Sequence, residues 1–319
     1  MSKRLSVILP CYNEEPVIRQ SIDKLSGKLA SLIDAGTIDT DSMIIAIDDG
    51  STDDTWNAIA GIASYNQFVV GIKLTHNVGQ QNALIAGLET AIQKDADITI
   101  TIDADLQDDI NAIDKMLELH SQGCEIVYGV RNDRSSDSWF KRVTARMFYN
   151  FMKATQAKII PNHSDYRLMS RRAVEMLLAY EERNLFLRGI VPLIGLKSER
   201  VYYSRTPRHA GYTKYPLGKM LSFAIEGITS FSVRPIRAIF TVGLAFMFIA
   251  LSILVYVIVV IIQGRNIPGW ASIMLSIWFI GSLILIALGI IGEYVSKIYL
   301  ESKHRPRYFI DRTTDTDKH

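Results

Sequence analysis

Two carboxylates separated by one residue can share a divalent cation, and this sequence has four such pairs: Asp39/Asp41, Asp95/Asp97, Asp103/Asp105 and Asp315/Asp317. A solvated acidic turn is the ordinary meaning of such a pair, and three of the four follow no strand pattern. Asp103/Asp105 differs, because Ile98, Ile100 and Ile102 alternate with Thr99 and Thr101 directly before it, the period-2, β-branched signature of a strand. In open parallel sheets ligands bind beyond the carboxyl ends of the strands. Both aspartates would therefore face a ligand crevice, where hard oxygen donors suit Mg²⁺ or Mn²⁺ shared with substrate phosphates.

The elements that must position this pair can be read from the same periodicities. Leu5–Leu9 predicts a first strand closed by Pro10-Cys-Tyr-Asn-Glu14, and Pro16 suits the first turn of a helix reaching about Leu32. Met43–Ile47 predicts a second strand that ends in Asp48-Asp-Gly50. Ser51 and Asp54 have capping-box spacing, so a helix is expected from there to about Ser64. Phe68–Leu74 is a third strand, followed by Asn77-Val-Gly79 and a helix to about Gln93. After the strand before Asp103, a helix from about Ile110 to Gln122 and a strand Glu125–Val130 complete an alternating series. That order predicts a mostly parallel α/β sheet with helices on both faces. An amphipathic helix over Ser138–Gln156, a short strand around Tyr166–Met169, a helix from Arg171 to about Tyr180 and a strand Val201–Tyr203 follow.

Two common nucleotide folds are disfavoured. No G-x-G-x-x-G follows the first strand and no G-x-x-x-x-G-K-[ST] occurs, which argues against a dinucleotide dehydrogenase and a P-loop NTPase. Acidic loops end strands two and four instead, as expected where a metal and ribose hydroxyls hold a nucleotide. His76 and His163 have no second histidine or cysteine at zinc-ligand spacing.

The chain has 319 residues, 48% of them apolar, and a formal charge of +2, a balance that implies no nucleic-acid partner. Apolar residues concentrate after position 238. Ala238–Ile262 and Ala271–Ile291 are each long and uncharged enough to span a bilayer. Arg265 alone lies between them, whereas Arg234 and Arg237 precede and Lys297, Lys303, Arg305 and Arg307 follow, so a hairpin with both termini cytoplasmic is expected. Leu217–Ile236 has the pattern of an interfacial helix, the segment Arg205–Lys214 before it is basic, and the tail from Thr313 should be mobile. The expected organisation is a cytoplasmic domain over 1–215, an interfacial region over 216–237, two transmembrane helices over 238–292 and a cytoplasmic tail over 293–319. Cys11 and Cys124 read as buried thiols in a reducing compartment.

Val7-Ile-Leu-Pro-Cys-Tyr-Asn-Glu-Glu15, Asp48-Asp-Gly-Ser-Thr-Asp53, Asn77-Val-Gly79, Asp103-Ala-Asp-Leu-Gln-Asp108, Asp165-Tyr-Arg-Leu-Met-Ser170 and Glu226-Gly-Ile-Thr-Ser-Phe231 occur in that order before the terminal spans. In this the chain resembles the inverting glycosyltransferases of family 2, specifically the polyprenyl-phosphate sugar transferases that include dolichol-phosphate mannosyltransferase and bactoprenol glucosyltransferases. The resemblance implies a GT-A-type Rossmann-like domain, a UDP-sugar donor, a polyisoprenyl (undecaprenyl) phosphate acceptor and Mg²⁺ or Mn²⁺. It also implies a bacterial plasma membrane location, a lipid-bilayer partner and a homo-oligomer, tetrameric in the family. UDP-glucose is the first choice of donor, with UDP-N-acetylglucosamine, UDP-galactose and GDP-mannose open. Carried over by motif, Pro10, Tyr12, Glu14, Asp48, Asp49, Asn77, Gly79, Asp103 and Ala104 are nucleotide-sugar contacts. Asp103, Asp105 and Gln107 are the metal group, Asp165, Asp105 and Arg131 the catalytic group, and Arg205, Arg208 and Lys214 the acceptor-phosphate group. The family often has proline after Leu-Gln-Asp, where this chain has Asp109-Ile110, and the Q-x-x-R-W acceptor motif of the processive synthases is missing. The implied reaction is attack of a lipid-phosphate oxygen on an anomeric carbon. Because that nucleophile is already anionic, Asp165 has three readings open: a base, a group orienting the acceptor or an arginine such as Arg167, and an ion-pair partner of Arg167 or Arg171. A non-catalytic nucleotide-sugar-binding scaffold is the alternative of another class.

Overall fold

The computed structural model describes residues 2–132, 163–182, 186–204 and 269–315, with scattered helical positions between 239 and 263. They belong to two compact units, Met1–Lys214 with Arg305–His319, and Tyr215–His304.

In the first unit the order is β1 (Leu5–Cys11), α1 (Glu15–Asp34), β2 (Met43–Asp48), α2 (Thr55–Ala63), β3 (Val69–Leu74), α3 (Gln80–Gln93), β4 (Ile98–Thr101), α4 (Ala112–Ser121), β5 (Ile126–Arg131), β6 (His163–Ser170), α5 (Arg171–Leu178), α6 (Leu187–Leu193), β7 (Ser198–Tyr203) and β8 (Ile310–Thr313). The strands form one sheet in the order β7-β5-β6-β4-β1-β2-β3-β8. β4, β1, β2 and β3 run parallel, as β5 and β7 do, whereas β6 and β8 are antiparallel to their neighbours. The expected mostly parallel sheet with helices on both faces is the one observed.

β1 lies in the middle because both its faces are apolar. Val7 and Leu9 join one buried cluster with Ile18, Ile22, Leu25 and Leu29 of α1, whose spacing keeps them on one helical face. Ile8 points the other way, where α3 comes so close that a Cβ on Gly87 would meet Ile8 Cγ2 at 2.4 Å. With helices on both sides, this strand reads as a nearly continuous apolar run. Parallel pairing then aligns the strand ends, so that Cys11 is level with Asp48, and Ile8 with Thr101. The loops after β1, β2 and β4 consequently emerge together.

Four expectations need correction. α2 begins at Thr55, without a side-chain cap, because Ser51 is used elsewhere: its Oγ accepts from Asn13 N at 3.0 Å and its N–H donates to Asp48 Oδ1 at 3.0 Å. The strand expected around Tyr166–Met169 is the eight-residue β6, and it inserts antiparallel between β4 and β5. Thr313 does not open a mobile tail but ends β8, an edge strand on β3, followed by Thr314, whose Oγ1 accepts from Gly71 N at 2.9 Å. The last expected span, Ala271–Ile291, belongs to α7 (Trp270–Ser302) in the second unit and continues past Ile291.

Within α7, Phe279–Ser302 is long and apolar enough to cross a membrane, and an 18-residue window within it has mean hydropathy 2.0. The other expected span, 238–262, lies mostly outside the described residues, and the helices expected over 138–156 and 217–236 lie wholly outside them. Cys11 and Cys124 are buried and unbonded to each other, as expected.

β8 is held at several points: Lys94 pairs with Asp315, Tyr308 with Glu89, and Arg307 donates to the carbonyl of Tyr180. Deleting residues 309–319 removes the buried Thr314 contacts and bares the edge of β3. The unfolding midpoint of the full chain in detergent is expected to fall by about 4 °C or more, read by circular dichroism. An unchanged midpoint would show that β8 contributes nothing to the fold.

Candidate active site

Directly beyond β4 the backbone turns sharply. Leu106 N donates to the Asp103 carbonyl at 3.1 Å, and Leu106 takes φ 43°, a left-handed conformation that is uncommon for a residue with a branched side chain. Such strain, of order 1–3 kcal/mol, persists only where surrounding structure enforces it. Here the enforcement comes from Ser21 of α1, whose Oγ donates to the Ala104 carbonyl at 2.6 Å, and from Asp105 Oδ1, which accepts from Gln107 N at 3.3 Å. Ala104, Gln107 and Asp108 are buried; Asp103 and Asp105 are partly exposed.

β6 supplies the opposite wall. Thr101 is level with Arg167 across the antiparallel pair, so Asp103, two residues after Thr101, and Asp165, two residues before Arg167, lie toward the same end of the pair. Thr101 Oγ1 donates to the Asp165 carbonyl and fixes that register. The Asp165 carboxylate accepts from Arg167 Nη2 at 2.6 Å on Oδ1, and from Arg188 Nε at 3.3 Å and Nη2 at 3.0 Å on Oδ1 and Oδ2. Of the readings open for Asp165, the ion pair with Arg167 is present. Arg171 pairs instead with Asp95 and Glu175.

Asp108 forms a second node. Its Oδ1 accepts from Tyr203 Oη at 2.7 Å and pairs with Arg131 Nη2 at 3.4 Å, while the Ser164 and Tyr203 hydroxyls lie 2.9 Å apart. Asp108 stood inside the quoted acidic run, and its burial could have been suspected from that company. Arg188 and Tyr203 carried no signal, since an arginine in Leu-Arg-Gly and a tyrosine ending a strand have no motif around them.

On the other side the loops after β1, β2 and β3 are fastened to one another. Asn13, at φ 53°, accepts from Thr52 N at 2.9 Å through Oδ1, and Glu14 N donates to Thr55 Oγ1 at 3.0 Å. Both oxygens of Asp49 are taken by backbone N–H groups, Val78 at 2.8 Å and Gly79 at 3.0 Å. Gly50 lies against the next loop at φ 64°, where a Cβ would meet His76 C at 2.4 Å, so no other residue fits. Asp48 is fully buried, and its Oδ2 has no partner among the described residues. Tyr12 and Asn77 are exposed, and Pro10, Glu14 and Gly79 partly so. Gln80, the first residue of α3, reaches from this side to Asp103 Oδ1 at 2.8 Å. Arg205, Arg208 and Lys214 lie outside the described residues.

The residues at the β4 terminus fit a divalent cation in the two-carboxylate manner. Among the described residues no group of three or more histidine, cysteine or acidic side chains forms a complete cage. Mg²⁺ and Mn²⁺ bound with phosphates need only one or two carboxylates, the rest of the shell coming from substrate and water. Gln107 Nε2, Asp108 Oδ2 and Arg131 Nε are buried without partners among the described residues. Each such atom costs about 1–3 kcal/mol unless water or a ligand satisfies it. The described members of the other three aspartate pairs are engaged elsewhere, with Asp41 on Arg4, Asp95 on Arg171 and Asp315 on Lys94.

Comparison with known proteins shows the family of the chain. Residues 6–178 match the model of Glycosyl transferase family 2. The uncharacterized glycosyltransferase YkoT of Bacillus subtilis (strain 168) is 50% identical over 308 residues, 96% of this chain and 91% of its own length. Bactoprenol glucosyl transferase of Shigella phage SfV is 38% identical over 315 residues, 96% of this chain and 98% of its own. Among solved structures, mannosyl-3-phosphoglycerate synthase from Rubrobacter xylanophilus superposes with a TM-score of 0.45 at 15% identity, covering 70% of this chain and 71% of that one.

Burial, reinforced by the charges of Asp165, Asp108 and Asp105, pushes the Asp103 carboxyl up to about 7 from an ordinary 3.8. Without a cation the folded protein keeps this proton over a range in which the unfolded chain has already lost it. The stability it contributes is therefore present below the unfolded value and drains away as pH rises through about 7. Metal-free wild type should lose thermal stability relative to Asp103→Asn between about pH 5 and pH 8, and Mg²⁺ should restore more of it at the upper end. Midpoints of the two proteins that run parallel across that range would contradict the assignment.

Proposed function

The chain belongs to glycosyl transferase family 2 and is a glycosyltransferase, and from that premise we propose that it is membrane-bound and moves glucose from UDP-glucose to polyisoprenyl phosphate, with undecaprenyl phosphate as the acceptor. A lipid-phosphate oxygen attacks the anomeric carbon, the bond from that carbon to the diphosphate breaks, UDP leaves, and the configuration inverts. The observation that carries the proposal is the Asp103/Asp105 pair beyond β4, faced by Asp165 across the antiparallel β6 and reached by Gln80 from the loops that end the parallel strands. The acceptor and the sugar are those in the name of the phage relative. The apolar length of Phe279–Ser302 supports a protein that meets its lipid substrate in the bilayer.

On this reading each group has a task set by its chemistry. Asp48, with a buried oxygen that has no partner among the described residues, contacts the nucleotide together with Tyr12 and the fastened loops around Asn13 and Gly79. Asp103, Asp105 and Gln107 hold Mg²⁺ or Mn²⁺. When bound, the cation neutralises charge that builds on the departing diphosphate. Arg131, kept in place by Asp108, lies near the sugar nucleotide, and Arg205, Arg208 and Lys214 contribute to the acceptor phosphate. No strong base is required, because a phosphate monoester with its second pKa near about 6 is already anionic at neutral pH. Asp165, with both oxygens on guanidinium groups, is poorly disposed to be one.

Purified full-length protein should be incubated with undecaprenyl phosphate, Mg²⁺ and each of UDP-glucose, UDP-N-acetylglucosamine, UDP-galactose and GDP-mannose. Glucosyl transfer to the lipid is the expected product, lost in excess chelator and in Asp105→Asn, where an amide replaces an anionic ligand. Transfer of another sugar would change the donor alone. A folded wild type that binds nucleotide sugar and transfers nothing would leave the scaffold reading in its place.

A further inference from the structure

Resting on that reading, we infer that Arg188 is a phosphate-binding residue of the active site, and that Asp165 serves as a positioning residue that holds its guanidinium. Nothing in the sequence marked Arg188, and the evidence for it is geometric. The two arginines on Asp165 are not equivalent: the Arg167 side chain is 1% exposed, whereas that of Arg188 is 42% exposed. Arg167 can only be part of the scaffold. Arg188 reaches solvent on the wall that faces Asp103.

Its placement is tightly controlled. Arg188 is the second residue of α6, and the residue before it is fixed from two directions: Leu187 N donates to Gln81 Oε1 at 3.0 Å, and Arg167 Nη1 donates to the Leu187 carbonyl at 3.4 Å. Thus α3, β6 and α6 all meet at the base of this side chain. A cation in the first turn of a helix opposes the helix dipole, so helix stability gives no reason for arginine there. Asp165 then grips the guanidinium along its Nε–Nη2 edge through two oxygens, which sets the plane of the group. An arginine whose plane is set in advance suits phosphate oxygens, which it binds through paired hydrogen bonds. The ligand is a phosphate oxygen from one of two sources, the diphosphate of the donor or the monophosphate of the lipid.

The test compares Arg188→Ala, Arg188→Lys and Asp165→Asn with wild type in detergent. Calorimetry with UDP and Mg²⁺ reads the donor side, and quenching of intrinsic fluorescence by undecaprenyl phosphate reads the acceptor side. Neither needs turnover, so a failure of the proposed reaction is seen separately, in wild type on the donor panel. Arg188→Ala is expected to weaken one of the two ligands by about tenfold or more, the size of a charge-assisted bond, with Arg188→Lys recovering part of the loss. Asp165→Asn should weaken the same ligand, and the double variant should be no worse than Arg188→Ala alone, because the aspartate acts through the arginine. A folded Arg188→Ala protein that binds both ligands within about twofold of wild type would overturn the inference. So would losses that multiply in the double variant.

Discussion

Burial of the Asp103 carboxyl, with the charges of Asp165, Asp108 and Asp105 added to it, is the constraint the rest of the site is built around. Like charges in a partly desolvated setting repel one another, so neighbouring carboxylates here are held with counter-charge supplied. Asp165 receives it from Arg167 and Arg188, and Asp108 from Arg131 with a hydrogen bond from Tyr203. Asp103 receives a neutral amide from Gln80, and among the described residues no cation pairs with it. Burial first, and the neighbouring carboxylates after it, raise its affinity for a proton, and uncompensated negative charge would likewise favour a divalent ion.

The division of labour follows from burial. The Asp165–Arg167 pair is almost fully enclosed, so removing either partner strands a buried charge at a cost of about 3–5 kcal/mol. It is a fixed point from which Arg188 is aimed. The loops on the opposite side are fixed by different means, through the Asp49 contacts with Val78 and Gly79 and the close passage of Gly50 over His76. Both sides of the acidic cluster are therefore fixed by hydrogen bonds, an ion pair and close packing, an arrangement that would lower the cost of reorganisation around developing charge.

The parts legible in the sequence were those determined locally. Alternation of isoleucine and threonine before Asp103 marked a strand, and a strand end in a parallel sheet is where ligands bind, so this aspartate pair could be told from three others of identical spacing. Local spacing does not place the α2 start, because Ser51 has the right spacing to cap a helix but is taken up by Asn13 and Asp48, residues from other parts of the sheet edge. The C-terminal strand was missed for a similar reason: Ile310–Thr313 is short and polar, and only pairing with the exposed edge of β3 makes it a strand.

Periodicity, turn residues and the acidic motifs by themselves determined that the chain builds a mostly parallel α/β sheet, places an aspartate pair just beyond its fourth strand, and resembles family 2 glycosyltransferases. Only the tertiary structure decided that β6 enters the sheet antiparallel between β4 and β5, and this single choice of direction carries Asp165 toward the same end of the pair as Asp103 and brings Arg188 after it. The physical reason is that strand direction and neighbour are set by long-range backbone pairing and by burial of side chains such as Tyr166 and Leu168, not by any local preference of the residues. A lone arginine on a short helix acquires its meaning from the carboxylate that the sheet places against it.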